Sequence, residues 1–130
     1  TRIEQAMSKQ GVRLGGWDGE TSYVQYDVVH QGKAQNVTAF RFNGIGTDSH
    51  EAFSLVIGTE GFNCCKTACK PYDLAVCLIL MSLKHHEPSA VIRTDGTTED
   101  WSIAFDKYKE IFPKRTASFS FNNKYELTKS

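Results

Sequence analysis

Hydrophobic and polar residues alternate along the first half of the chain. From Ser22 to His30, Val24, Tyr26 and Val28 share one face, and from Gln35 to Asn43, Thr38, Phe40 and Phe42 do the same. A period of two marks a strand with one covered face. With Gln31-Gly-Lys-Ala34 as the turn between them, the two runs predict a β-hairpin. A third run, Ala52 to Ile57, alternates Phe53, Leu55 and Ile57 with smaller residues, and Asn43-Gly-Ile-Gly-Thr-Asp48 supplies the turn before it. A three-stranded antiparallel meander is the expectation.

The period then changes. Pro71 suits a first helical turn, and Tyr72 to His86 follows with Leu74, Ala75, Val76, Leu78, Ile79, Leu80, Met81 and Leu83 around most of its circumference, which predicts a buried helix. Lys84, His85 and His86 complement its negative end, and Pro88 stops it. Ser89 to Thr94 reads as a short strand and Asp95-Gly96 as a turn. Thr97-Thr-Glu-Asp100 is a capping signature for a second helix, carrying Trp101, Phe105, Tyr108 and Phe112 as one stripe up to Pro113. Thr116 to Phe121 alternates again as a last strand, and the polar residues 122–130 read as a frayed tail. At the other end, Ile3, Ala6 and Met7 are spaced for a short helix stopped at Gly11, followed by a glycine-rich loop to Gly19 with Trp17 against the core.

Strands first, then helix, strand, helix, strand, is an α+β order, with a mainly antiparallel sheet and two helices packed on one of its faces. The opposite face must be solvated or an interface. The 130 residues give room for one domain. Hydrophobic residues at 40% are enough for a core, and 15 basic against 15 acidic residues leave no net charge, so a general coat for nucleic acid or an anionic membrane is excluded and any such site must be local.

No signal-like apolar core precedes Gln10, and the longest apolar stretch, Leu74 to Leu83, is about half the length that spans a bilayer. The adjacent Cys64 and Cys65, and Cys77 within the apolar helix, are an awkward layout for a cross-linked secreted fold. The expectation is reduced thiols in a cytoplasm, with no membrane association.

Four groups of residues carry candidate chemistry. Lys66, Thr67 and Lys70, with Tyr72 beside them, precede the buried helix, whose first N–H groups lack partners; together they suit a phosphate or carboxylate. The glycine cradle of a P-loop is absent. Cys64, Cys65, Cys69, Cys77, His85 and His86 include zinc-ligating atoms, but their spacing does not give two ligand pairs from tight turns, and no metal or other cofactor is expected. His50 and Glu51 could form a polar acid–base site at the entrance to the third strand. From Asp106 to Ser130, Lys107, Lys109, Lys114, Arg115, Lys124 and Lys129 are interleaved with Tyr108, Phe112, Phe119, Phe121 and Tyr125, a composition that can stack single-stranded nucleic acid. None of these is a complete catalytic constellation.

His50-Glu-Ala-Phe53, Cys65-Lys-Thr-Ala-Cys-Lys-Pro-Tyr-Asp73 and Thr94-Asp-Gly-Thr-Thr-Glu-Asp-Trp101 occur in an order that resembles small uncharacterised bacteriophage and prophage proteins, over about residues 40 to 112. The resemblance implies a host-cell cytoplasm and a short protein that binds and blocks a host component. It brings no activity to carry onto residues. The leading expectation is therefore a non-catalytic binding protein acting on a host protein, such as a component of a defence system, or assembling with itself as a homo-oligomer. The alternative is a nucleic-acid or nucleotide binder using Lys66, Thr67 and Lys70, and a third reading is a small metal or thiol enzyme.

Overall fold

The computed structural model describes residues 2–16, 18–20, 24–31, 34–56, 71–94, 98–116 and 118–130. They form three α-helices and two antiparallel sheets, so the class is α+β as expected, but the strands divide between two small sheets instead of joining one. The chain separates into two compact units, one of residues 7–73 and the other of residues 1–6 and 74–130.

Helix α1 (Arg2–Lys9) buries Ile3 and Met7, four residues apart on one face. It stops where Gly11 takes a left-handed φ of 76°. The N–H of Val12 then reaches back to the Met7 carbonyl and that of Gly11 to the Ser8 carbonyl, so two otherwise orphaned helix carbonyls are satisfied.

The first unit holds the predicted meander: β1 (Gln25–Gln31), β2 (Ala34–Phe42) and β3 (Phe53–Val56), in that order. Gln31 pairs with Ala34, which closes the hairpin at the expected place. One feature of its register was not legible from alternation. Asp27 pairs with Ala39 but Val28 with Val37, so Thr38 is an extra residue on β2 and the strand is bulged there. At the other end Phe42 pairs with Phe53, their rings 5.2 Å apart, and the Tyr72 ring meets Phe42 edge-on at 6.5 Å.

The turn between β2 and β3 is organised by Asn43, a polar residue only 2% exposed. Its backbone exchanges two hydrogen bonds with Gly15. Its side-chain oxygen accepts from the N–H groups of Gly44 and His50 at 2.8 and 3.0 Å, and its amide donates to the His50 carbonyl at 2.9 Å. A 3₁₀ turn, Gly46–Asp48, fills the space between. Gly44 must be glycine, because a Cβ there would be driven into the Asp48 carbonyl.

In the second unit, α2 (Asp73–His86) begins one residue after the predicted start and buries Ala75, Val76, Cys77, Leu78 and Met81. After it, Lys84 Nζ donates to the carbonyls of Pro88 and Ala90, each at 2.6 Å, and turns the chain away from the helix axis. The strand predicted over Ser89 to Thr94 shrinks to one bridge, Arg93 with Glu126. Helix α3 (Thr98–Ile111) presents the predicted aromatic stripe to β4 (Phe119–Phe121): Trp101 and Phe105 pack on Phe121, and Tyr108 packs on Phe119.

The expectation of a frayed tail is corrected. Leu127–Lys129 form β5, paired with β4, and Leu127 is buried. The Asn122 side chain accepts from the N–H groups of Lys124 and Glu126, and Tyr125 takes a left-handed φ of 61°, so a local side-chain turn brings a polar segment back onto the sheet. On the face opposite α3, Ser120 bonds Thr128, and both are hydroxyl-bearing, half-exposed or exposed residues, so that face of this sheet is solvated.

Candidate functional site

Lys66, Thr67 and Lys70 lie outside the described residues, as do Cys64, Cys65, Cys69 and Trp17. Tyr72 is fully buried, and its hydroxyl donates to the Glu51 carbonyl at 2.5 Å, so it joins the core instead of presenting a ligand group. His50 and Glu51 are exposed; the backbone of His50 bonds the Asn43 side chain and the Glu51 carbonyl accepts from the Tyr72 hydroxyl. Cys77 is buried on α2, and eight helical residues carry the axis about 12 Å to His85, too far for one ion to take both. Among the described residues, no group of three or more His, Cys, Asp or Glu side chains could hold a metal. No described helix is long and apolar enough to cross a membrane.

The structure instead singles out the flank of α3. A cleft of about 210 Å³ lies between Ser102, Phe105, Asp106, Tyr108 and Lys109 of α3 and the start of the last hairpin at Ser118 and Phe119. Ser102, Asp106 and Lys109 recur at four- and three-residue steps and so line up beside the packed aromatic stripe, from which Phe105 and Tyr108 also reach the cleft. Its lining combines three aromatic residues with serine, aspartate and lysine.

The hydrogen-bond register of β4 decides what borders this cleft. Ser130 N–H donates to the Ser118 carbonyl and Asn122 N–H to the Glu126 carbonyl, which makes Phe119–Lys129 and Phe121–Leu127 the non-hydrogen-bonded pairs of the ladder. The N–H and C=O groups of Phe119 and Phe121 therefore point away from β5. Among the described residues no other strand meets them. The opposite edge is formed by Ile92 to Thr94, which bond Leu127 and Tyr125, leaving Arg93 outward beside Val91, itself 68% exposed. That edge is a single bridge carrying a charge, a common way of discouraging further pairing. The β4 edge is longer, flanked by a helix and, among the described residues, open.

A second polar cluster occupies the last turn of α2 and the end of α3. Arg115 Nη1 donates to the Tyr108 hydroxyl at 2.8 Å and the Ser82 hydroxyl at 3.3 Å, and its Nη2 lies 3.3 Å from His86 Nε2. The guanidinium is stacked 3.9 Å from the centre of the Phe112 ring, against which Arg2 also rests at 5.9 Å. His85 stands edge-on to His86 at 5.0 Å, and its Nδ1 is buried without a partner. Desolvation holds His85 below the ordinary 6.5 of an imidazole, helped by the positive charges of Arg115 and Lys129 and by His86. Sequence reading placed Arg115 in a basic, aromatic segment but could not show that its ring partner and hydrogen-bond partners would converge.

No protein-family model, no curated protein and no solved structure matches the chain.

Proposed function

We propose that this is a non-catalytic binding protein that takes an extended segment of a partner protein as an added strand on β4. The observation that carries the reading is the outward pair of backbone groups at Phe119 and Phe121 running alongside the α3 cleft. Strand addition draws its affinity from such main-chain groups and its selectivity from a pocket that accepts alternate side chains. The cleft volume and its aromatic lining suit a short apolar or hydroxyl-bearing side chain. Asp106 and Lys109 in that lining balance each other, in keeping with a chain of zero net charge that has no general attraction to polyanions. The resemblance of residues 40 to 112 to small phage proteins makes a host-cell protein the natural partner, encountered in the cytoplasm.

A random peptide library selected on the protein tests the reading. Selected peptides are expected to slow amide exchange at Phe119 and Phe121 and to lose binding when the exposed Ser102 is changed to Trp, which fills the cleft. Peptides that bind equally well to Ser102→Trp, with those two amides unprotected, would defeat it.

A further inference from the structure

The Arg115 cluster is separate from the β4 edge and has a different chemistry. A guanidinium carries five N–H donors. Nη1 is used by Ser82 and Tyr108, Nη2 has the His86 ring nitrogen, and Nε has no acceptor among the described residues. No carboxylate pairs with Arg115 among the described residues; the ion pair nearest in sequence, Lys107 with Glu110, closes on itself. Arginines held in place by this many contacts usually end on a carboxylate or a phosphate, because their planar fork matches both. Here Phe112 fixes the plane of the fork and the two hydroxyls fix its rotation, so little side-chain entropy remains to be lost when an anion docks.

The described charges that act on the neighbouring His85 have the same sign. Lys129 and His86 act on His85 together with Arg115, and Arg2 shares the Phe112 ring. The negative end of α2 offsets about half a charge, less than Arg115 alone supplies. The contact of Arg115 with His86 is also conditional: the imidazole can accept only while its Nε2 is unprotonated, and an oxyanion placed between the two would let both groups donate.

We infer that Arg115, with His86 beside it, forms a binding site for a tetrahedral oxyanion of double charge, the terminal phosphate of a small ligand. Ser82, Tyr108 and Phe112 are positioning residues: they aim the guanidinium and do not touch the anion. A dianion fits better than the singly charged phosphate of a nucleic-acid backbone, because its second charge and third terminal oxygen strengthen its attraction to the Arg115 guanidinium and leave an acceptor for His86.

The test is a titration of the intact chain with inorganic phosphate at constant ionic strength, followed through the Arg115 Nε–H and His86 ring signals. Dimethyl phosphate and chloride serve as comparison anions. Phosphate is expected to give saturable shifts at those two residues, dimethyl phosphate at least fivefold weaker binding, and chloride no saturation. Arg115→Gln should abolish the response and His86→Gln should weaken it at least threefold. Because Arg115 also ties α3 to α2, His86→Gln, at an exposed position, keeps the test decisive if the arginine variant does not fold. Shifts of equal size with chloride, equal affinity for dimethyl phosphate, or an unchanged response in His86→Gln would overturn the assignment.

Discussion

Around Asn43, the chain itself consumes the hydrogen-bonding capacity of one buried side chain: the oxygen serves two N–H groups, and the amide serves the same residue's carbonyl that one of them belongs to. Around Arg115, a larger set of polar groups is only partly consumed, leaving Nε and the buried His85 Nδ1 without partners among the described residues. Both regions tie together segments distant in sequence. The difference is where the donors point. A side chain enclosed by backbone groups that cannot leave becomes architecture, whereas a side chain held by other side chains at the edge of the molecule retains directions in which a ligand can approach. The first kind of site costs stability when altered, and the second should cost binding.

The sharpest way to break that contrast is Gly44→Ala. The added methyl would meet the Asp48 carbonyl and, at 3.1 Å, the Tyr72 ring, so the turn must open, and urea unfolding should report a loss of about 4 kcal/mol. Asn43→Ala comes next. It strands two N–H groups and one carbonyl around a buried side chain and should lose about 3 kcal/mol. Asn43→Asp sharpens the point, since it keeps both acceptor bonds but sets a carboxylate oxygen against the His50 carbonyl. Arg115→Ala should be milder in the same assay, about 1 kcal/mol, because hydroxyls at a partly exposed site regain water when it leaves. Equal losses at Asn43 and Arg115 would erase the distinction between the two regions.

The smallest effect is in the pH dependence. With His85 held below 6.5 in the folded state, the unfolded chain takes up its proton first as the solution is acidified. Stability is therefore intact above that pH and declines as the pH falls through 6.5. Thermal melts of His85→Gln should show a flatter profile between pH 7 and pH 5 than the parent protein, and an unchanged profile would assign the acid sensitivity to other groups.

The elements themselves were largely legible. The change of period from two near Val24 to Phe42 to the helical repeat after Pro71 reflects which side of each segment must leave water, a local property that burial preserves. The stripe Trp101, Phe105, Tyr108 was read correctly for the same reason, and its rings do meet Phe119 and Phe121. The polar end of the chain was misread because composition weighs side chains, whereas β5 is held by an Asn122 side-chain turn, a backbone ladder and one buried leucine. The Thr38 bulge escaped because alternation on each strand separately is unchanged by how the two strands slide.

By itself, then, the sequence determined the α+β class, the order of helices and strands, the α2 core and the aromatic face of α3, all consequences of local periodicity and of apolar surface leaving water. Only the tertiary structure decided that the described strands form two sheets, that Tyr72 and Asn43 turn inward, that among the described residues β4 has an unpaired edge beside a cleft, and that Arg115 comes to rest on Phe112 with Ser82, 33 residues away in the chain, in reach. Those outcomes depend on the directions of hydrogen bonds and on which distant side chains meet, and no run of neighbouring residues carries that information.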